Sequence, residues 1–150
     1  MRKIFALLAV AFVAAAANVA SAAPVAWYNP VSGGIYFQND HTGALANASV
    51  ISTAGNFKAA SDLLGIGSSV KDDSELPFAF TYLGLPQGQS FAGAIVKPGS
   101  PVADLKFEYR LNSLLEPLVQ GVVVEIPEPA TLAMAGLGLV GIVAAARRKA

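Results

Sequence analysis

The sequence predicts an all-β fold, a small antiparallel sandwich or jelly-roll-like domain, carried between two apolar ends. Three observations predict it. Along residues 103–111, Ala103, Leu105, Phe107, Tyr109 and Leu111 alternate with Asp104, Lys106, Glu108 and Arg110. That period-two pattern is the mark of a half-buried strand. Turn chemistry at Pro86-Gln87-Gly88 and at Lys97-Pro98-Gly99-Ser100-Pro101 punctuates the middle of the chain at short intervals. Finally, seven strand-like stretches fit between residues 23 and 126, the density expected of a compact sandwich or barrel.

Taken in order, residues 25–28, 34–37 and 48–53 read as short strands. Residues 57–64 read as a short helix closed by Gly65. Residues 76–83 form the next strand, with Phe78, Phe80 and Tyr82 on one face, and residues 91–96 another. Together with 103–111 these predict an antiparallel meander of strands near 78–84, 90–96 and 103–111. Residues 113–118 could make one more helical turn, and 121–126 a last strand with Val122, Val123 and Val124. The wet face of 103–111 carries Asp104, Lys106, Glu108 and Arg110 in alternating sign, which predicts an ion-pair ladder.

Composition has to be read by segment. The whole chain is 54% hydrophobic with formal charge zero and no cysteine. Half of the basic residues (Arg2, Lys3, Arg147, Arg148 and Lys149) lie in the ends, so residues 23–126 hold five Lys/Arg against nine Asp/Glu. That balance excludes a basic nucleic-acid footprint for the middle segment. The lack of cysteine excludes disulfides, Cys-ligated zinc and thiol catalysis. A domain of about 100 residues can bury a core but has little chain left for a deep pocket.

The front end reads as a secretory signal peptide over residues 1–22. Arg2 and Lys3 precede an unbroken apolar stretch at 4–17, and Ala20-Ser21-Ala22 places small residues where signal peptidase needs them. Cleavage is expected between Ala22 and Ala23. At the other end, residues 130–146 form an apolar run followed at once by Arg147, Arg148 and Lys149. As a helix the run spans about 26 Å at 1.5 Å per residue, close to the thickness of a bilayer core. Gly136, Gly138 and Gly141 make it a thin anchor, and the trailing cations should stay on the cytoplasmic side.

Pro127-Glu128-Pro129 stands immediately before that run. Two prolines remove two backbone donors and bias their neighbours toward extended geometry. The tripeptide is therefore an extended handle beside the bilayer. The order of Ile126-Pro127-Glu128-Pro129-Ala130-Thr131, a Gly/Ala/Leu-rich span and a basic end resembles a PEP-CTERM sorting signal. The resemblance covers residues 127–150 and says nothing about 23–126. It implies that Pro127, Glu128 and Pro129 are recognised by a membrane peptidase, an exosortase, and that Arg147, Arg148 and Lys149 act as the stop-transfer cluster. It also implies a Gram-negative bacterial source, export across the inner membrane to the cell surface or extracellular matrix, and an association with exopolysaccharide and biofilm. Ile126 stands where valine is commoner. A cell-wall signal of the Leu-Pro-x-Thr-Gly type is absent, and the terminal basic cluster does not suit a GPI signal.

Chemistry within the passenger is sparse. His41 is the only histidine and sits in a loop-like stretch, Gln38-Asn39-Asp40-His41-Thr42-Gly43, with no Gly-x-Ser-x-Gly elbow anywhere. One histidine and no thiol do not make a zinc site. Lys71-Asp72-Asp73-Ser74-Glu75 is an acidic cluster without EF-hand spacing, better read as a solvated loop than as a calcium site. No catalytic residue, metal or cofactor is expected. Trp27, Tyr28 and Tyr36 are candidate sugar contacts, because exposed aromatic faces stack on sugar rings, against a default role in the core. Three functions compete. The first is a non-enzymatic exported surface or matrix protein, sorted through its tail. The second is a small carbohydrate-binding module, and the third is a small hydrolase, which the residues disfavour.

Overall fold

The computed structural model describes residues 23–127. The signal-peptide reading of residues 1–22, with Ala22, lies outside the described residues. So do Glu128, Pro129, the apolar run 130–146 and the basic cluster Arg147, Arg148 and Lys149. Among the described residues no helix is long and apolar enough to cross a membrane.

Among the described residues nine strands form: β1 (Val25–Asn29), β2 (Gly34–Asn39), β3 (Leu45–Ser52), β4 (Val70–Asp72), β5 (Ala79–Leu85), β6 (Gly88–Gly93), β7 (Leu105–Arg110), β8 (Val119–Gln120) and β9 (Val122–Glu125). They build two sheets, ordered β6-β2-β1-β9 and β4-β5-β3-β7-β8. All pairings are antiparallel except that of β1 with β9. The all-β class expected from alternation is what forms.

The sheets pack face to face because each strand turns its apolar alternation the same way. Ala26 and Tyr28 of β1, Ile35 and Phe37 of β2, Val50 of β3, Phe80 and Tyr82 of β5, and Phe107 of β7 are all at most 1% exposed. Phe37 bridges the layers, with its ring centroid 5.6 Å from that of Phe107 and 5.9 Å from that of Tyr82. Edge-to-face and tilted ring pairs of this kind add stabilisation beyond their buried area. The Tyr82 hydroxyl donates to the Leu64 carbonyl, so its polar tip is satisfied inside the core.

The β1–β2 turn shows how sequence fixes local geometry. Asn29 Oδ1 accepts from the amides of Val31 at 2.9 Å and Ser32 at 3.1 Å, an Asx turn. Gly33 follows at φ +75°, where a Cβ would lie 1.9 Å from the Val96 carbonyl oxygen. Only glycine fits there.

Several expectations need correction. The meander does not form. β5 and β7 belong to one sheet and β6 to the other, so the Pro86-Gln87 connection passes between layers. The strand expected at 76–83 starts at Ala79. Phe78 precedes it in a turn, is 56% exposed and covers Gly55. The strand expected at 91–96 occupies Gly88–Gly93, where Gly93 ends it. The helix expected at 57–64 is instead a bridge from Phe57 to Val96 and a single 3-10 turn over Ala60–Asp62. Burial of Phe57 and Leu63 between the layers prevails over helical propensity. Residues 113–118 form a turn, with the Glu116 amide bonded to the Ser113 carbonyl.

Asp104 is the largest departure. It belongs to a 3-10 turn, Val102–Asp104, ahead of β7, and it is 8% exposed rather than part of a wet ladder. Its carboxylate accepts from Ser52 Oγ, from Thr53 Oγ1 at 2.6 Å, from the Ala54 amide at 2.7 Å and from Asn56 Nδ2 at 3.1 Å. On the exposed face of β7, Arg110 Nε instead donates to the Glu116 carbonyl at 2.9 Å. The described ion pairs lie elsewhere, at Lys58–Asp62 and Lys71–Asp73.

Candidate sorting site

The way the chain leaves its fold is set by the one parallel pairing. β9 lies along β1 with Val25 opposite Val122 and Tyr28 opposite Glu125. Because the two strands run the same way, Ala23 lies before one end of the pair and Pro127 beyond the other. Their separation along the strand direction is roughly 20 Å at 3.3 Å per residue. The Ile126 amide donates to the Tyr28 carbonyl at 2.8 Å, one residue before the exposed Pro127. Among the described residues, the tripeptide begins directly after the last residue whose amide is bonded to the sheet. A proline suits that position, since it has no amide to donate.

Residues 125–149 match the family model of the PEP-CTERM protein-sorting motif.

The PEP-CTERM match starts at Glu125, which is still inside β9, so passenger and sorting motif share a residue. No flexible spacer separates them. No curated protein and no solved structure matches the chain.

β9, the edge strand of the four-stranded sheet, carries the start of the matched PEP-CTERM segment. Val123 packs on the core, while Val122 on the opposite face is 59% exposed. The chain reaches β9 from β8 through Gly121, where a Cβ would lie 2.4 Å from the Phe107 ring. Glu125 also acts on its partner: burial first, and then the Glu125 carboxylate, push the Tyr28 phenol up from its ordinary value.

The candidate sugar contacts divide. Tyr28 is fully buried and belongs to the core, so it cannot meet a ligand. Trp27 and Tyr36 point the other way, to the outer face, and are opposite each other in the β1–β2 register. Strand geometry requires this split, since adjacent residues face opposite sides. Phe91 of β6, absent from the sequence expectation, is opposite Tyr36 and stacks on it with centroids 4.6 Å apart. Its own alternation with the buried Ala92 was the available signal.

The remaining candidates are placed as follows. His41 lies in the β2–β3 loop, its amide held by Asn39 Oδ1 at 3.1 Å and its Nε2 3.0 Å from Asn112 Oδ1. In the acidic cluster, Asp72 ends β4 and accepts from the Ser74 amide and hydroxyl, which lower its pKa. Asp73 faces Lys71. Among the described residues no three His, Cys, Asp or Glu side chains converge as a metal site.

Proposed function

We propose that this chain is an exported, non-enzymatic envelope protein that a membrane exosortase captures and processes through its PEP-CTERM tail. The observation that carries this reading is the motif match at residues 125–149, beginning on β9 at the edge of the sandwich. Signal peptidase removes residues 1–22 after export, which leaves Ala23 as the new N-terminus. The apolar run 130–146 holds the chain in the inner membrane, with Arg147, Arg148 and Lys149 on the cytoplasmic side. Pro127, Glu128 and Pro129 then present an extended, donor-poor segment to the peptidase. The passenger is delivered to the cell surface or matrix of a Gram-negative cell, in contact with exopolysaccharide.

The geometry of the exit fits this use. Ala23 and Pro127 lie at opposite ends of the β1/β9 pair, so the N-terminal cut and the tail do not compete for space. With only Pro127, Glu128 and Pro129 between Ile126 and the apolar run, the end of the sandwich that carries the β1–β2 turn is held close to the peptidase or the bilayer. In a strain lacking its exosortase, the protein should accumulate as a membrane-bound species that retains its C-terminal segment. An unchanged distribution between membrane and surface fractions would remove the exosortase from this account.

The carbohydrate-binding reading gains one supporting observation. Trp27 and Tyr36 share the outer face of the four-stranded sheet, although Tyr28 drops out.

A further inference from the structure

The outer face of the β6-β2-β1-β9 sheet has a composition that the core does not explain. Trp27, Tyr36 and Phe91 occupy one cross-strand row, on β1, β2 and β6. Neighbouring strands lie about 4.8 Å apart, so the row from Trp27 to Phe91 extends roughly 10 Å, the span of about two linked pyranose rings. Phe91 remains 39% exposed on the edge strand. Gly34, two residues before Tyr36 on β2 and so on the same face, makes room for the arrangement: a Cβ there would lie 3.3 Å from both the Tyr36 and Phe91 rings. The stacked pair therefore leans over a glycine, with the far side of Phe91 open at the sheet edge.

Polar groups flank the rings. Gln38 and Gln89 are opposite each other in the next row, and the Gln38 amide is oriented by a hydrogen bond to Asp40 Oδ1. Between Tyr36, Gln89, Ser90 and Phe91 lies an open cleft of about 220 Å³. The outward positions of β1, β2 and β6 carry no charged residue. Ring faces bind apolar C–H surfaces, and primary amides both donate and accept hydrogen bonds. A pyranose offers that same pair of surfaces: a flat C–H face and a hydroxyl edge. No cation faces the platform to compensate a carboxylate, and the Asp40 carboxylate stands beside Gln38, so the site favours a neutral glycan over an acidic one.

We propose that Trp27, Tyr36 and Phe91, with Gln38 and Gln89, form a shallow binding platform for a neutral pyranose polysaccharide. This deepens the surface-protein reading and rests on it for where the glycan would be met; the chemistry of the site does not depend on tail processing.

Trp27 is the only tryptophan in the chain, so its emission reports on the platform directly. The full-length protein is held in a non-glycosidic detergent and titrated with laminarin, hydroxyethylcellulose and mannan, with alginate as the acidic comparison. A saturable change in Trp27 emission with at least one neutral glycan, and none with alginate, is expected. Phe91→Ala should weaken that affinity about tenfold, which corresponds to roughly 1.4 kcal/mol, while Leu115→Ala on the remote 113–118 turn leaves it unchanged. Gln89→Ala, on an exposed edge position, gives the same reading with a smaller loss if Phe91→Ala fails to fold. No emission response to any of the three neutral glycans overturns the proposal. So does an emission change that follows protein concentration and not glycan, which would make the face a contact between copies. Tail processing is read separately in cells, so failure here leaves the sorting account standing.

Discussion

A chain carrying Glu128→Gln with Pro127→Ala and Pro129→Ala should be exported and folded normally yet retain its tail. The three changes follow the bond from the Ile126 amide to the Tyr28 carbonyl, the last backbone hydrogen bond among the described residues, so the described fold should not respond. What they remove is one carboxylate and two proline-fixed φ angles. Losing one charge-assisted hydrogen bond costs about 1.5–3 kcal/mol. Applied to the proposed capture step, that is about 10–100-fold in processing rate. Glu128→Gln alone should show that loss, and the two proline changes should slow processing further. Pulse labelling of cells, followed by size analysis of the chain over time, reads both rates. Equal processing of the variant and the parent would show that recognition lies elsewhere in the tail.

Asp104→Ala should destabilise the passenger by about 3 kcal/mol, because it strips the acceptor from four donors gathered on one buried carboxylate. Thr53, Ala54 and Asn56 have no other described acceptor for those donors in this turn, and Ser52 Oγ, itself accepting from the Asn56 amide, loses its own partner. The pH dependence follows from the same geometry. Burial by itself would raise the Asp104 pKa, but the hydrogen bonds from Ser52, Thr53, Ala54 and Asn56 outweigh it and hold the group at about 2, against an ordinary 3.8. A depressed folded-state pKa stabilises the fold above the unfolded value. The contribution is therefore complete above about pH 4 and disappears as pH falls toward 2. Urea unfolding of the parent should show that loss across the window, and Asp104→Ala should show a flatter profile there. A variant as stable as the parent at neutral pH would mean that the network is dispensable.

What could be read from sequence was the direction each side chain faces, wherever alternation was strict. Leu105, Phe107 and Tyr109 are buried as the odd-numbered face of 103–111 required, and Phe80 and Tyr82 are buried together on β5. Partner choice was not legible. Alternation says that a strand has an inner face but not which of two sheets it joins, so β5, β6 and β7 read as neighbours when they alternate between layers. Asp104 was misread for a related reason. Its neighbours are Ser52, Thr53 and Asn56, some fifty residues earlier, and nothing local announces that a hydroxyl-rich turn will close over it. Tyr28 is different. The period-two rule already placed Trp27 and Tyr28 on opposite faces, so pairing both with a ligand conflicted with the strand assignment itself. The aromatic row was half legible: Trp27 and Tyr36 stood in the sequence reading, while Phe91 joins them only through the β2–β6 register. For the sorting motif, the tripeptide and its following segments were visible in sequence. The seating of its first residue on β9, beside β1, required the fold.

The direct test of the account is the intact mass of the mature protein recovered from the surface of its native cell, with both termini sequenced. The account predicts a chain that starts at Ala23 and ends near Pro129, a sandwich released with its last strand in place. A surface product that still ends at Ala150 would contradict it and leave the tail as an ordinary membrane anchor.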